Sequence, residues 1–415
     1  MTVPPGCRYA WPVKALILTN EYPPNVYGGA GMHVAELTRA LRGRLPVEVR
    51  TFGTQREEAE SWRVRGYPPD DRLAAADDQL RPVWDAFGRC LAMAAELTDA
   101  DLVHCHTWYT HLAGLLVQGG RGIPLVVTVH SLEPLRPWKR EQLGGGYDLS
   151  SWVERTALNA ADAVVAVSAG TRDDVLRNFD VDAGRVRVIH NGIDAEFFTP
   201  DPATDALDRY GIDPALPYAL FVGRITRQKG IVHVLRAIRH LDPGLGVVLA
   251  AGQPDTPELA AEVEAGVTEA RATRPAAVWI PEMLSRSEIR QLYSHAAVFV
   301  CPSVYEPFGI TNLEAMACAT PVVASAVGGI PEVVADGETG LLVPVELSPD
   351  EPMTPVHPGR FARDLAMAIN AVVADPSRAQ AMGAAGRRRA VEQFSWASVA
   401  DRTLELYASL AESAG

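Results

Sequence analysis

The chain has 415 residues, 47% of them hydrophobic, and a formal net charge of -13 at pH 7. This length and composition predict two packed globular domains rather than a disordered chain. The acidic balance argues against a nucleic-acid groove or an anionic membrane surface as the main partner, because either would need a surplus of Lys and Arg. Any phosphate-bearing ligand is therefore expected to meet a local basic site.

The cysteines and the N-terminal segment bear on the cellular compartment. The five cysteines are odd in number and scattered, and they form no C-x-x-C pair, which is typical of reduced thiols in the cytosol. The N-terminal segment lacks the apolar stretch of a signal peptide, and no run of about 18 apolar residues occurs. We therefore expect a cytoplasmic protein with no membrane partner.

Short β-branched runs alternate with helical patterns in the first part of the chain. They start at residues 13, 47, 101, 124, 163 and 186. Near-continuous apolar strands separated by helices are what a parallel sheet covered on both faces requires. This part of the sequence therefore predicts a doubly wound α/β domain.

The alternation restarts after a segment rich in Pro and Asp. Further apolar runs start at residues 218, 246, 276, 297, 321 and 340. They predict a second doubly wound domain, with residues 203–214 as the linker. Ligands of open α/β sheets bind at the carboxyl ends of the strands. We therefore expect the functional residues directly after strands, and the substrates in a cleft between the two domains.

A glycine-rich turn follows the first strand. Gly28, Gly29 and Gly31 stand at the start of a helical pattern and permit close approach of the backbone. The N–H groups at such a helix start can bind a phosphate or a developing negative charge. A tight turn without a ligand is the alternative interpretation.

Two cationic side chains follow the first strand of the second domain. Arg224 and Lys229 lie between a buried run and the next helix, in FVGRITRQKG. Cations at a strand's carboxyl end are costly to bury unless an anion pairs with them, so the two side chains can clamp a diphosphate. The alternative is a solvated loop in which both charges face water.

The segment EPFGITNLE follows the strand that starts at residue 297. Glu306 lies in the loop and Glu314 in the first turns of the next helix, so one carboxylate can reach sugar hydroxyls and the other a ribose. Between them, Gly309, Ile310 and Thr311 place backbone N–H groups at the helix start, where the helix dipole favours a pyrophosphate. A helix-capping box with a spare acid is the alternative.

Two patterns raise the question of a metal. His104 and His106 are two residues apart on one strand and share a face, but no third ligand is obvious nearby. The D-x-D patterns at 99–101 and 180–182 precede strands, which is the wrong end of a parallel sheet for a ligand. The sequence therefore predicts no metal site and no cofactor.

Taken together, these motifs resemble the family 4 retaining glycosyltransferases of GT-B fold. The resemblance is carried by the E-x7-E pattern at 306–314, the R-x4-K pattern at 224–229 and the segment at 315–343. It implies an α/β protein with two Rossmann-like, doubly wound parallel-sheet domains and a cleft between them. Residues 1–202 would bind the acceptor, residues 215–392 would bind the nucleotide sugar, and a helix at 393–415 would return to the N-terminal domain.

The same resemblance assigns roles in the second domain. Glu306 would contact the transferred sugar and Glu314 the ribose, while Arg224 and Lys229 would neutralise the diphosphate. The family transfers the sugar without a metal and with retention, by attack on the same face, and the leaving phosphate helps to deprotonate the acceptor hydroxyl. The product would carry an α-linkage.

A narrower likeness concerns the first domain. VYGGAG, HCHTWYTHLAG and VTVHSLEPLRPWKREQLGGGY resemble the actinobacterial ADP-glucose-dependent synthases of the glycogen and maltose 1-phosphate type. The family's active-site histidine maps to His130, and Glu21, His106 and Trp108 would line the same cleft. The chain departs from the other large class of glycogen synthases, which carry Lys-Thr where Val26 and Tyr27 stand.

A basic segment follows His130 and bears on the acceptor. Arg136, Lys139 and Arg140 suit a phosphorylated acceptor such as glucose 1-phosphate, although solvated loop charges are an equal alternative. We therefore expect transfer of glucose from ADP-glucose to glucose 1-phosphate, or to the end of an α-glucan in glycogen biosynthesis.

Two other functions stay open. One is a family 4 transferase with another nucleotide sugar and a small-molecule or lipid acceptor, and the other is an epimerase or nucleotide-binding module that transfers nothing. No nucleic-acid partner is expected, and the sequence leaves a homodimer open.

Overall fold

The computed structural model describes residues 13–26, 28–71, 77, 80–137, 139–252, 254–274, 276–351 and 353–414. Cys7, one of the five cysteines, and Tyr27 lie outside these residues. The chain divides into two compact units, one made of residues 1–192 with 396–415, and the other of residues 193–395.

An eight-stranded sheet forms the centre of the first unit. Its spatial order is β3-β4-β2-β1-β5-β6-β7-β8, and all neighbouring pairs are parallel except β3 with β4. The strands are β1 Ala15–Thr19, β2 Val47–Phe52, β3 Arg56–Ala59, β4 Trp62–Tyr67, β5 Leu102–His106, β6 Leu125–Val129, β7 Ala163–Ala166 and β8 Val186–Val188.

Helices cover both faces of this sheet, which is why its central strands are apolar throughout. On one face, Ile17 and Val49 pack in a core cluster with residues of the first and last helices of the unit. On the other face, Leu16 and Val103 pack in a second cluster. The helices are α1 Gly29–Leu41, α2 Arg81–Ala95, α3 Trp108–Arg121, α4 Lys139–Leu143, α5 Gly146–Ala160, α6 Ala169–Asn178 and α15 Trp396–Ala414.

The second unit is built on a six-stranded sheet whose paired strands are all parallel, in the order β11-β10-β9-β12-β13-β14. Its strands are β9 Tyr218–Val222, β10 Gly246–Ala250, β11 Ala277–Ile280, β12 Val298–Cys301, β13 Val322–Ser325 and β14 Gly340–Val343. Its helices are α7 Asp205–Tyr210, α8 Ile231–Ala237, α9 Pro257–Thr273, α10 Arg286–His295, α11 Ile310–Ala317, α12 Ile330–Val333, α13 Pro358–Val373 and α14 Pro376–Gln393. The prediction of two α/β parallel-sheet domains is confirmed.

The boundary between the units differs from the predicted one. Residues 203–214 are not a linker, because they contain α7 and belong to the second unit. Leu207 is fully buried, and the Ala206 N–H donates to the side chain of Gln291 on α10 at 2.8 Å. The break in the chain lies at residues 192 and 193, and α15 begins at Trp396 rather than at residue 393.

Two further points concern the described cysteines and the described helices. Cys90, Cys105, Cys301 and Cys318 are buried free thiols. Among the described helices, none combines the length and the apolar character that crossing a bilayer requires.

Candidate active site

The predicted site residues form one group in each unit, and each group follows the carboxyl ends of parallel strands. In the first unit, Glu21 follows β1, and α1 carries the glycine-rich start. The Glu21 carboxylate accepts a hydrogen bond from the Gly28 N–H at 2.9 Å. A Cβ on Gly31 would lie 2.7 Å from the Glu21 Cβ, so only glycine fits there. In this structure the Gly28 N–H is therefore used by the Glu21 carboxylate. Gly29 is the first residue of α1, whose start has no side-chain cap.

Three histidines meet in the first unit. His106 ends β5 and His130 follows β6, and the Nδ1 of His106 lies 3.0 Å from the Nε2 of His130. His33, on α1, packs its ring against both, with ring-centroid distances of 5.4 Å to His106 and 4.8 Å to His130. Sequence reasoning missed His33, whose only signal is its position in the first turns of the helix that follows β1.

The cluster is neutral at pH 7. Burial lowers the pKa of His33 to about 4 and holds the pKa values of His106 and His130 well below the ordinary value of 6.5. The neighbouring histidines act in the same direction on His106 and His130, because each cation would repel the next. The imidazoles therefore hold lone pairs and N–H groups rather than positive charges.

The predicted acceptor residues differ in their surroundings. Trp108 begins α3 and is only 3% exposed, in an apolar cluster with Val83 and Phe87, so its ring packs in the core. Lys139 begins α4 and is partly buried. Arg140 forms an exposed pair with Asp148, with N–O distances of 3.1 and 2.6 Å, which is the solvated-loop alternative for that residue.

Arg136 is held from below by buried acids. Its guanidinium donates to the Ser131 hydroxyl at 3.2 Å and lies 3.6 Å from the Glu133 carboxylate, which is 1% exposed. Burial, with the charge of Glu133 as a smaller cause, raises the pKa of Glu154 well above its ordinary value. Among the described residues, the buried Nε of Arg136 has no hydrogen-bond partner.

In the second unit, Lys229 and Glu306 form a largely buried ion pair. The Lys229 ammonium donates to Glu306 at 2.7 Å, and the Ser303 hydroxyl donates to the same carboxylate at 3.2 Å. Burial is the largest single effect and acts to lower the pKa of Lys229, but the charge and the hydrogen bond of Glu306, together with Cys301, outweigh it, so the pKa is raised and the lysine stays a cation. Arg224 is more open, with a side chain that is 56% exposed and lies 3.6 Å from Asp255.

The start of α11 lies beside this pair. Gly309 has a φ of +103° and precedes Ile310 and Thr311, and no side chain caps the helix start, which argues against the capping-box alternative. A Cβ at Gly309 would lie 3.6 Å from the Cγ of Glu306. The helix start therefore places backbone N–H groups, which can bind an anion, next to the paired Glu306 and Lys229.

Glu314 lies further along α11. It accepts a hydrogen bond from the Tyr293 hydroxyl at 3.1 Å. Burial raises its pKa to about 7, against the hydrogen bond of Tyr293 and the charge of Arg286. At neutral pH this carboxyl group can therefore accept or donate a hydrogen bond.

Two family models cover most of the chain. Residues 27–197 match the model of Glycosyltransferase Family 4, and residues 204–353 match that of Glycosyl transferases group 1. The chain is 50% identical over 399 residues to the alpha-maltose-1-phosphate synthase of Mycolicibacterium smegmatis, which covers 95% of this chain and 99% of the relative. It is 28% identical over 424 residues to the glycogen synthase of Mycobacterium tuberculosis, with coverage of 95% and 94%.

Solved structures agree on the architecture. The sucrose-phosphate synthase from Thermosynechococcus elongatus matches with a TM-score of 0.74 and 26% identity, covering 96% of this chain and all of the other. The catalytic domain of starch synthase IV from Arabidopsis thaliana, bound to ADP and acarbose, matches with a TM-score of 0.73 at 18% identity, over 96% of this chain and 99% of the other. The chain belongs to the glycosyltransferases of family 4.

Proposed function

We propose that this glycosyltransferase moves glucose from ADP-glucose to glucose 1-phosphate and forms maltose 1-phosphate. The observation that carries the proposal is the 50% identity to an alpha-maltose-1-phosphate synthase over nearly the full length of both chains. Transfer proceeds with retention and without a metal.

The residues of the second unit suit the donor. Departure of the nucleoside diphosphate builds negative charge, which Lys229, Arg224 and the N–H groups at the start of α11 stabilise without a metal. The exposed Arg224 is 3.6 Å from Asp255, so it can turn to a phosphate at little cost. Glu306, fixed by Lys229, accepts hydrogen bonds from the sugar hydroxyls, and Glu314 binds the ribose.

The residues of the first unit suit a phosphorylated acceptor. Arg136 is anchored by Glu133 and Ser131, and its side chain stays 18% exposed, so its guanidinium can donate to a phosphate oxygen. His130 is neutral, so it can hydrogen-bond a sugar hydroxyl without adding a charge. We propose same-face attack, in which the leaving phosphate takes the proton of the acceptor hydroxyl.

The test is nucleoside diphosphate release from ADP-glucose, with UDP-glucose and GDP-glucose as competing donors and glucose 1-phosphate or glycogen as acceptors. We expect fast release only with ADP-glucose plus glucose 1-phosphate, unchanged by a chelator. Turnover with glycogen alone would replace the proposal with α-glucan elongation. Turnover with another nucleotide sugar would show that the enzyme uses a donor other than ADP-glucose.

Arg136→Ala tests the acceptor half. We expect the KM for glucose 1-phosphate to rise by about tenfold or more, because the phosphate contact is lost, while the KM for ADP-glucose stays the same, because the donor residues of the second unit are unchanged. Arg140→Ala is the matched control, since that guanidinium pairs with Asp148 at the surface. Equal effects of the two variants would remove Arg136 from the acceptor site.

A further inference from the structure

The three clustered histidines of the first unit have the arrangement of a cation site. His33, His106 and His130 each offer one ring nitrogen, and the three nitrogens lie within 4.8 Å of one another. They come from α1, from the end of β5 and from the residue after β6. The strands hold two of them in register, because His106 pairs with Thr128, two residues before His130.

One hydrogen bond determines which lone pair His33 offers. The Nδ1 of His33 lies 2.7 Å from the Oδ1 of Asn191, which can only accept. His33 therefore carries its proton on Nδ1 and holds an unprotonated Nε2. Histidines that bind metals almost always donate their other N–H to such an oxygen, which fixes the tautomer and the ring.

The contact between His106 and His130 is also compatible with a shared cation. Their facing nitrogens are 3.0 Å apart, and two imidazoles on a tetrahedral Zn²⁺ at about 2.0–2.1 Å place their nitrogens about 3.3 Å apart.

His104 is not a member of this group, although the sequence pairs it with His106. Its Nδ1 lies 2.6 Å from the Tyr407 hydroxyl and its Nε2 lies 2.7 Å from the Thr128 hydroxyl, so both nitrogens are used. The sequence raised the His104–His106 pair without predicting a metal site, and the third histidine of the cluster lies instead on α1.

We propose that His33, His106 and His130 bind one Zn²⁺, with a water in the fourth position, and that the bound ion inhibits glucosyl transfer. Three neutral imidazoles with an open fourth position are a recognised donor set for zinc. Inhibition follows because a neutral His130 that ligates Zn²⁺ through Nε2 carries its proton on Nδ1, so it can no longer accept a hydrogen bond from a sugar hydroxyl. This last clause rests on the proposed role of His130, whereas the binding itself does not.

Direct binding tests the site apart from activity. The protein is stripped with a chelator, desalted and titrated with Zn²⁺ in competition with a chromophoric chelator, and a parallel sample is titrated with Co²⁺. We expect one site per chain and the strong visible absorption of tetrahedral Co²⁺. Weak binding, or only the faint spectrum of octahedral Co²⁺, overturns the proposal.

Variants separate this site from surface histidines. His33→Gln and His130→Gln each remove a ligand, and Asn191→Ala removes only the hydrogen bond that orients His33. We expect Asn191→Ala to weaken binding by about 10–100-fold and the ligand variants to weaken it at least as much. His240→Gln and His357→Gln, which change exposed histidines, are the matched controls and keep wild-type affinity.

Far-UV circular dichroism of each variant shows whether it is folded. If a ligand variant does not fold, Asn191→Ala still tests the site. Zn²⁺ should also inhibit transfer, with recovery on addition of chelator. A protein that binds Zn²⁺ but never turns over ADP-glucose loses the proposed function and keeps the site. A protein that turns over normally and binds Zn²⁺ no better than His33→Gln loses the site.

Discussion

Lys229 and Glu306 lie at an N–O distance of 2.7 Å, with side chains only 23% and 8% exposed. Removing either charge leaves the other without its partner in a poorly solvated place, which is costly. In the proposed donor site the two residues should therefore act as one unit, and their effects on catalysis should not add.

Glu306→Gln and Lys229→Met should each lower kcat by about 10²-fold or more, because both disturb the groups that face the developing charge. The double variant should be little worse than either single one. Steady-state kinetics with ADP-glucose measure this. Arg236→Met, which removes an exposed pair with Glu262, is the control and should be near wild type. Fully additive losses would show that the pair does not act together.

Glu314 connects stability to pH. Burial raises its pKa from 4.5 to about 7 in the folded state, so between these pH values the folded chain binds a proton that the unfolded chain has released. The contribution of Glu314 to stability should therefore fall as pH rises from 4.5 to 7. Glu314→Gln should flatten the fall in melting temperature over this interval. A slope equal to that of the wild type would exclude the raised pKa.

At this scale the sequence predicted where single residues lie along the strands and helices, but not which side chains they contact. Arg224, Lys229, Glu306 and Glu314 were found because each follows a buried run at the sheet edge where ligands bind. His33 was missed because a histidine at helical spacing carries no sign of the strands it packs against. Arg136 and Arg140 differ because only Arg136 lies next to the buried Glu133. The sequence alone does not show that contact.

At the scale of elements, the loop that carries Glu306 packs closely against Gly328. Gly328 has a φ of +53°, and a Cβ there would overlap the carbonyl oxygen of Glu306. The N–H of Gly329 also donates to that carbonyl at 3.0 Å. The turn before α12 therefore sets the position of Glu306 through backbone contacts.

Gly328→Ala should destabilise the protein by about 2–5 kcal/mol, from left-handed strain plus the overlap, and should lower kcat because Glu306 shifts. Gly337→Ala is the matched control, since Gly337 has a φ of +76° with no atom within 4 Å of an added Cβ. It should cost only about 1–2 kcal/mol and leave kcat unchanged. Thermal melts and steady-state kinetics give both quantities. Equal losses of activity would separate Glu306 from this turn.

Apolar runs predicted most strands, and the charged ones were missed. All four residues of β3 are exposed, and β4 alternates Trp62, Val64 and Gly66 with two arginines, so neither has the continuous apolar character of a central strand. The linker prediction failed for a related reason. Residues 203–214 contain three Asp and follow a segment rich in Pro and Asp, yet Ala206 and Leu207 provide enough apolar surface to dock α7.

At the scale of the whole molecule, the end of the chain completes the first unit. The α15 residues Val399, Leu404 and Tyr407 pack in the same core cluster as Ile17 and Val49 of the sheet. Sequence spacing alone could not show this, because an amphipathic terminal helix fits either unit. The family resemblance supplied the expectation.

Tyr407→Phe should destabilise the first unit by about 1–3 kcal/mol, because the buried Nδ1 of His104 loses its partner. Tyr210→Phe is the control, since that hydroxyl contacts Glu288 at 3.4 Å and Glu282 rather than a buried imidazole. It should change stability by about 0.5 kcal/mol at most. Hydrogen exchange in α15 and β5 would locate the effect. Unchanged exchange there would mean that the hydrogen bond does not hold the helix.

The most direct test of the proposed reaction is the structure of its product. The protein, freed of metal by a chelator, is incubated with ADP-glucose and glucose 1-phosphate, and the product is followed by proton NMR and mass spectrometry. We expect a disaccharide monophosphate with a new α-1,4 linkage and one ADP per linkage formed. A β-linked product, or a requirement for added metal, would contradict it.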